Sequence, residues 1–451
     1  MKEAKKAANE FLPYPGKLTR WQLSIYTIRV RMFSFQFPCS ARISLPTCPA
    51  TRLRLTVILS LAAFLFLFSG NASPQTKAPS ANFATLSKQA AEARDADRLD
   101  EAAALYTKAL DLQPKWIEGW WSLGTIEYDQ DQYAKAARDF EKLIALDAAN
   151  GTAHAMLGLC QFELGKDESA LKNLLEAERL NIVKDEQLRK VALYHLGVLQ
   201  LRARKYGDAK ESLDQLAKDG VRTKELITAL GLAALLVRPQ EAPPEGTAGA
   251  SVIERAGEAE ALLGAKDFEQ AKKRYAELTS EFPDYPNLHF AFGRLLLETN
   301  ETDEAVEEFQ RELKRDPQNV NSLLEVASVR YLVDSQDGLR YAEEAAKLAP
   351  QRPFAHYLLG VLRLDTGNAA GAVPELEIAQ KAFPKEPRVY FSLGNAYARV
   401  SRKAEAAKAR AEFSRLHAQE VIQRGSNVYS GQPAGVSEGQ LRTLDTGKPQ
   451  Q

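Results

Sequence analysis

A small residue returns at a fixed interval along most of this chain, and the interval limits the folds that the sequence can adopt. The segments Trp120–Gly124 (WWSLG) and His154–Gly158 (HAMLG) lie 34 residues apart. The same spacing separates His356–Gly360 (HYLLG) from Tyr390–Gly394 (YFSLG). A period of this length indicates an array of repeated supersecondary units rather than one compact core.

A second small residue marks the other half of each unit. It follows twelve residues after the Gly, and an aromatic residue or Leu comes four residues later, as in Ala136 and Phe140 or Ala170 and Leu174. The small residues leave room where two helix axes cross, the large ones fill the space around them, and a Pro often ends the second helix. The pattern predicts antiparallel helix pairs, each with a helix A and a helix B, that bury their apolar faces by stacking.

This pattern resembles the tetratricopeptide repeat, whose 34-residue consensus reads W-x₂-L-G-x₂-Y…A-x₃-F…P. Ten units fit residues 83 to about 420, and the eighth position of every unit is Gly or Ala. The resemblance implies an all-α fold, a right-handed superhelical solenoid of about ten helix-turn-helix units. The predicted units begin at Phe83, Ile117, Gly151, Lys190, Lys224, Val252, Pro286, Val320, Pro353 and Pro387.

Three irregularities interrupt the array. About five extra residues between Ile182 and Lys190 predict a lengthened helix, and one residue is missing near Asp334–Gly338. The fifth unit has a helix A over Ile227–Val237 but no helix B, because residues 238–251 are rich in Pro and Gly. The uncovered apolar helix is most simply covered by the helix that starts at the next unit.

The loop at 238–251 predicts a boundary between two sub-arrays, at 83–237 and 252–424. The second sub-array ends in a charged, Ala-rich helix that suits a terminal cap. The sub-arrays either hinge at the loop or are fixed by the apolar contact across it. Residues 425–451 hold Gly, Ser, Pro and Gln with few large apolar side chains, and we expect a disordered tail.

The N-terminal region has a targeting pattern. Residues 52–72 place Arg-Leu-Arg before the apolar run Leu55–Phe68 and small residues after it, which is the order of a secretory signal. The run is shorter than the roughly 20 residues of a spanning helix, so we expect export, to the periplasm of a bacterial-type cell, with an uncleaved anchor as the alternative. A signal belongs at the N-terminus, so residues 1–51 suggest a start codon assigned too far upstream. Residues 73–82 then form a polar linker.

Charge and motifs argue against nucleic-acid binding and catalysis. Residues 1–72 carry ten basic and two acidic residues, which leaves the rest of the chain with 49 basic and 57 acidic residues, a net charge of −8. A nucleic-acid partner would require a basic face, so we expect none. The sequence contains no CxxC, GxSxG, HExxH, P-loop or EF-hand motif, so we expect no enzyme, no metal and no cofactor.

Three of the five histidines share one position of the repeat. His154, His289 and His356 all stand at position 4, where the consensus has Trp. Position 4 faces the core between helices A and B, and the three units are not neighbours. We therefore interpret these rings as packing residues with one satisfied nitrogen rather than as metal ligands.

The resemblance also implies a binding surface. In the family, the A helices line the concave side of the superhelix, and ligand peptides contact positions 2, 5, 9, 12 and 13 of helix A. Exposed aromatic and Arg side chains at such positions are typical of protein interfaces, although the same side chains can pack against the neighbouring helix A instead. Transferred to this sequence, the positions give Trp121, Tyr128, Phe162, Tyr194, Phe290, Arg294, Tyr331, Phe354, Tyr357, Phe391, Asn395 and Arg399.

Some family members bind a C-terminal carboxylate with a set of Lys, Asn and Arg side chains. Asn395 and Arg399 resemble part of that set, but Val361 and Asp365 stand at the matching positions of the preceding unit. A site of this kind is therefore not expected.

These observations predict a scaffold that binds other proteins or peptides outside the cytoplasm. One alternative is a membrane-anchored assembly factor of the cell envelope, in which the segment 55–68 remains uncleaved. A second alternative is an enzyme or a carbohydrate-processing protein with a site in the groove, which no constellation of residues supports.

Overall fold

The computed structural model describes residues 81–181 and 185–430, with side chains as far as residue 419. The N-terminal extension, the signal or anchor segment and nearly all of the linker lie outside the described residues, as does the tail beyond residue 430. Within the described ranges the chain forms nineteen α-helices, one short 3₁₀ turn and no strand. The fold prediction is confirmed: the described chain is an all-α helical solenoid of successive helix pairs.

The chain divides into two compact units, the first ending at Ala148 and the second beginning at Ala149. The helices of the first unit are α1 (Ala81–Asp95), α2 (Leu99–Leu112), α3 (Ile117–Asp129) and α4 (Tyr133–Leu146). The pairs α1 with α2 and α3 with α4 pack closely, as helix A and helix B of one repeat should.

The second unit continues the same alternation of A and B helices with one interruption. Its helices are α5 (Gly151–Glu163), α6 (Asp167–Arg179), α7 (Glu186–Arg202), α8 (Tyr206–Lys218), α9 (Lys224–Ala234), α10 (Ala248–Gly264), α11 (Phe268–Glu281), α12 (Leu288–Glu298), α13 (Thr302–Arg315), α14 (Val320–Val333), α15 (Ser335–Leu348), α16 (Pro353–Asp365), α17 (Ala369–Ala382), α18 (Pro387–Arg399) and α19 (Lys403–Ser430).

The glycines at position 8 lie where helix A and helix B of a pair approach each other. A methyl group added to Gly158 would lie 2.8 Å from the side chain of Leu174, and one added to Gly360 would lie 2.6 Å from that of Leu376. Real methyl groups do not approach so closely, so a larger residue would push the two helices apart. The prediction that small residues mark the helix crossings is confirmed at these pairs.

Two of the irregularities have the predicted form. Helix α7 has 17 residues, whereas the helices A of the neighbouring repeats, α5 and α9, have 13 and 11. Helices α14 and α15 are joined by the single residue Asp334, whose Oδ1 accepts hydrogen bonds from the backbone N–H groups of Gln336 and Asp337. The shortened turn leaves Leu332 and Val333 exposed.

The interrupted repeat is completed by a neighbouring helix. After α9 the chain makes the 3₁₀ turn Pro239–Glu241 and enters α10, which begins at Ala248, inside the segment expected to be loop. The prediction that α10 covers α9 is confirmed. Their contact is unusually close, because a methyl group on Gly231 would lie 1.9 Å from the carbonyl oxygen of Ile253 and one on Gly257 would lie 1.8 Å from that of Ile227. The two backbones therefore touch directly.

Helix α10 also packs against α11, so one helix belongs to two pairs. A single hydrophobic core, which includes Leu193, Leu230, Val252 and Leu295, extends to both sides of the loop that was expected to separate two sub-arrays. The division into compact units falls elsewhere, after Ala148.

The last helix is longer than expected. We predicted that it would end near Arg424, but α19 continues to Ser430. Its position 27 carries Phe413, whereas the same position in three earlier repeats carries Ala109, Ala177 and Ala379, all buried. The ring of Phe413 packs on that of Phe391, with centroids 5.5 Å apart.

The buried histidines are more fully bonded than predicted. In His289 the Nδ1 atom lies 2.5 Å from Oε2 of Glu308, and in His356 it lies 2.6 Å from Oε2 of Glu375. Their Nε2 atoms lie 3.0 and 2.8 Å from backbone carbonyl oxygens. Both nitrogens of each ring are therefore satisfied, rather than one, because helix B supplies an acid 19 residues after the His.

The carbonyl partner is itself a feature of the repeat. The side chain at position 4 forms a hydrogen bond with the backbone carbonyl oxygen of the Pro six residues earlier, which closes the preceding repeat. This holds whether the side chain is His, Trp or Tyr. The pairs are Trp120 with Pro114, His289 with Pro283, His356 with Pro350 and Tyr390 with Pro384. This bond fixes the entry of helix A against the turn that precedes it.

Candidate partner-binding face

Three of the predicted interface rings are not on a surface. Tyr128, Phe290 and Phe354 are all buried. The ring of Phe290 packs on Phe309 of helix α13, with ring centroids 6.0 Å apart, and Phe354 belongs to the core that runs from α14 to α19. These positions point towards neighbouring helices, so the assignment of the three rings to a binding surface is corrected.

Four other predicted rings are partly buried. Trp121 packs edge-on against Phe140 with centroids 5.7 Å apart, and Tyr331 and Tyr357 pack against the core of α14 to α19. Tyr194 packs against the core around α9, and burial raises its pKa to about 12. All four side chains are partly exposed, so each can contribute to a surface but not dominate it.

Phe162 is held by side chains of the next helix A. The guanidinium of Arg202 lies over its ring at 4.7 Å, and the ring of His195 meets it edge-on at 4.6 Å. Arg202 also pairs with Asp167 at 3.0 Å. The protein itself therefore covers much of the face that this ring would offer to a ligand.

Arg294 lies beside a buried cluster of charges that the sequence patterns did not reveal. Lys210 Nζ lies 2.7 Å from Asp214 and 2.9 Å from Glu260, and the cluster extends towards Glu298 on α12. Burial alone would lower the pKa of Lys210, but the carboxylates together hold it above its usual value.

A tyrosine hydroxyl adds a further hydrogen bond to this cluster, and burial affects the pKa of its Asp. The hydroxyl of Tyr275 donates to Oε1 of Glu260 at 2.6 Å, and burial raises the pKa of Asp214 although Lys210 opposes it. We interpret the cluster as a set of ion pairs and hydrogen bonds that joins helices α8, α10, α11 and α12 rather than as a ligand site. It was missed because its members come from three repeats around the interruption.

The most accessible predicted residues lie together on α18. Phe391, Asn395 and Arg399 are spaced by four residues and share one face of the helix. Phe391 is 54% exposed and contacts Phe413 at a centroid distance of 5.5 Å. Arg399 donates to the carbonyl oxygen of Leu364 at 2.5 Å and is otherwise exposed.

The structure brings this face next to other predicted residues. Helix α18 contacts α16, and α16 contacts α14. Tyr331, Tyr357 and Phe391 thus belong to three successive A helices, which form one continuous face within the second unit. Of the predicted interface residues, Phe391 and Arg399 are the exposed ones, and Tyr331 and Tyr357 on the two preceding A helices are partly exposed.

The described residues offer no evident metal or membrane site. Across residues 81–181 and 185–430, no three His, Cys, Asp or Glu side chains are grouped so that they could bind a metal ion. None of the described helices has the length and apolar composition needed to cross a bilayer.

Comparison with known proteins identifies the repeats. Models described as tetratricopeptide repeat match residues 122–181, 191–219, 262–325, 329–387 and 357–412. No curated protein matches the sequence.

Many solved structures match part of this chain, and several of them are of MamA. A crystal structure of MamA is 19% identical, covers 36% of this chain and 96% of its own, and gives a TM-score of 0.34. A second crystal structure of MamA is 18% identical, covers 42% of this chain and 100% of its own, and gives 0.35. A MamA fragment from Desulfovibrio magneticus RS-1 is 20% identical, covers 38% and 96%, and gives 0.34. With the matching repeat models and the observed helix pairs, this chain is a tetratricopeptide-repeat protein.

Proposed function

We propose that this protein is a scaffold that binds an extended segment of another protein on the face formed by α14, α16 and α18. The exposed ring of Phe391, with Asn395 and Arg399 beside it, is the observation that carries this proposal. Burial of a half-exposed aromatic ring against a partner is favourable. The Arg and amide groups beside it can form directional hydrogen bonds with the same partner.

The same face contains the remaining elements of an interface. Tyr331 and Tyr357 present ring edges on the two preceding A helices, and their inner faces are fixed by the core. Rings already held in place lose little conformational entropy on binding. An extended peptide that crosses three A helices could therefore contact one aromatic side chain on each.

We also propose that the protein acts outside the cytoplasm. The order of basic, apolar and small residues at 52–72 supports this. Fractionation of cells with and without detergent would separate export from anchoring. Release of the protein without detergent supports export, whereas release only with detergent supports the membrane-anchored alternative.

The binding proposal is tested with a triple variant. A displayed peptide library is selected on the purified protein, and the affinity of the best peptides is measured by fluorescence anisotropy. Replacing Phe391, Asn395 and Arg399 by Ala should weaken binding at least about tenfold, because hot-spot aromatic and Arg side chains are typically worth 2 kcal/mol or more each. An unchanged affinity would contradict the proposal.

The matched control is Ile378→Ala. Ile378 is also a half-exposed apolar residue, but it lies on the B helix α17. This variant should bind the peptides as the unaltered protein does. Circular dichroism on both variants separates a loss of binding from a loss of helix.

A further inference from the structure

A cleft lies in the first unit between α2, α3 and α4. It is lined by the buried side chains of Leu110 and Leu123 and by Pro114 and Trp120. The indole of Trp120 is half-buried, and its Nε1 donates to the carbonyl oxygen of Pro114 at 2.8 Å. The cleft therefore offers a fixed aromatic ring together with two apolar side chains.

The start of the described chain lies close to this cleft. Phe83, in the first turn of α1, packs edge-on against Trp116 with ring centroids 5.1 Å apart. Trp116 is also held by Tyr106 at 5.7 Å and stands one helical turn before Trp120. The first described turn of α1 therefore lies against a residue that is one helical turn from the cleft lining.

The segment that precedes α1 has a composition suited to an aromatic cleft. Residues 73–80 read Ser-Pro-Gln-Thr-Lys-Ala-Pro-Ser. Proline restricts the chain to extended conformations, and aromatic-lined grooves commonly bind such segments at little entropic cost. Eight residues in an extended polyproline conformation span about 25 Å, which is enough to cross a cleft bounded by three helices.

The charged side chains at the rim of the cleft favour one orientation of residues 73–80 across it. Asp111 and Lys142 stand at its rim and form no ion pair among the described residues. Lys77 is the only charged side chain in the segment, so it matches Asp111 and not Lys142. A single attraction of this kind is weak in water, but it favours one register over the others.

We propose that residues 73–80 bind in this cleft, with a proline ring against Trp120 and Lys77 beside Asp111. Because the segment is joined to α1, its effective concentration at the cleft is in the millimolar range, and a weak contact suffices to fill it. The bound segment would hold the entry of the chain against the first unit and would cover an apolar surface that the first repeat leaves open.

Photo-crosslinking on the full chain tests this proposal. Thr107 at the rim is replaced by p-benzoyl-phenylalanine, the dilute protein is irradiated, and crosslinked peptides are mapped by mass spectrometry. We expect links from position 107 to residues 73–80 of the same molecule. Mixing ¹⁴N- and ¹⁵N-labelled chains distinguishes links within one chain from links between two.

Variants and a control make the result specific. Pro74→Gly with Pro79→Gly should reduce the yield of this crosslink several-fold, and Lys77→Glu should also reduce it. The same probe at Leu175, a half-exposed residue on the B helix α6, should not link to residues 73–80. The proposal would be overturned if the probe linked mainly to a second copy or to a different segment, or if it formed no link to residues 73–80. It would also be overturned if replacing the prolines left the crosslink yield unchanged.

Discussion

Two helix pairs of the second unit, α16 with α17 and α9 with α10, use glycine in different ways. In the regular pair, Gly360 makes room for the side chain of Leu376. In the irregular pair, Gly231 and Gly257 make room for carbonyl groups of the opposite backbone. The regular pair therefore needs space for a side chain, which can change rotamer, whereas the irregular pair needs space for main-chain atoms, which cannot.

This difference explains how the chain tolerates the loss of a helix B. Helix α9 is apolar on the side that helix B would cover, and α10 covers it while also packing against α11. Because α10 packs against both α9 and α11, it can approach α9 closely only if no long side chains lie between the two helices. Two glycines that face each other provide that approach, as small residues do wherever backbones meet closely.

The largest effect is expected for Gly257→Ala. The added methyl group would lie 1.8 Å from the carbonyl oxygen of Ile227, so α9 and α10 must separate along the whole contact. We expect destabilisation above about 4 kcal/mol, which is exceptional for one substitution, and loss of protection of both helices in hydrogen exchange. Protection equal to that of the unaltered protein would show that the backbone contact is not needed.

A second comparison concerns charge rather than space. Positions 11 and 23 of the repeat face each other across the A–B contact. In α5 and α6 they are Gln161 and Asn173, joined by a hydrogen bond of 2.9 Å from Asn173 Nδ2 to Gln161 Oε1. In α3 and α4 they are Glu127 and Asp139. Burial and the neighbouring Glu127 raise the pKa of Asp139 to about 8, and burial also raises the pKa of Glu127, although Lys135 and Arg138 oppose both shifts.

The carboxyl pair predicts a stability that depends on pH. The folded protein binds a proton on Asp139 that the unfolded chain releases near its ordinary pKa of 3.8, so the free energy of unfolding should fall as pH rises from about 4 to about 8 and level off above that. The slope from one such group is at most about 1.4 kcal/mol for each pH unit. The free energy of unfolding of the first unit is measured at each pH by urea denaturation, which is monitored through the hydrogen exchange of α3 and α4.

The matched variant replaces the acidic pair by the amide pair of the next repeat. Glu127→Gln with Asp139→Asn reproduces Gln161 and Asn173, and it should flatten the pH dependence while raising stability at pH 8. If the double variant kept the same dependence of unfolding free energy on pH, groups elsewhere in the first unit would be its cause. That result would contradict the assignment to Asp139.

A smaller effect is expected for Gly360→Ala. The new methyl group would lie 2.6 Å from Cγ of Leu376, so the Leu side chain must move within a packed core. Overpacking of this kind costs about 1–3 kcal/mol, and replacing a helical Gly by Ala returns about 0.5–1 kcal/mol. We expect a net loss of about 1–2 kcal/mol in denaturant unfolding. A loss as large as that of Gly257→Ala would erase the distinction between side-chain and backbone contacts.

The repeat period predicted the close contacts of the regular helix pairs. It predicted only part of the contact between α9 and α10. Gly231 stands at position 8, where the pattern asks for a small residue, but Gly257 stands at position 6, where it does not. Its role depends on a helix that replaces the missing helix B, so no property of its own repeat marks it. The missing helix itself was visible, because the loop at 238–251 has no helical pattern.

The binding face was less predictable than the fold for a similar reason. Phe290 and Phe391 both occupy position 5 of helix A, yet Phe290 is buried and Phe391 is exposed. Exposure depends on the side chains of the neighbouring helices, which the repeat pattern does not specify. The second bond of His289 and His356 could have been found from the sequence, since Glu308 and Glu375 each follow the His by 19 residues.

The smallest effect is expected for Gly394→Ala, at the same repeat position as Gly360 and one repeat later. Here the nearest atom to the new methyl group is Cγ of Arg410, at 3.1 Å, and the next nearest atom lies at 3.7 Å. Arg410 is exposed on the terminal helix and can shift at little cost, so the gain in helix propensity of about 0.5–1 kcal/mol should offset or exceed the contact. We expect a change within about 0.5 kcal/mol in either direction, measured as the hydrogen-exchange protection of α18 and α19. Since both positions are glycine in the same repeat pattern, a clear loss at Gly394 would mean that the pattern itself, and not the mobility of the opposing atoms, decides which glycines are required.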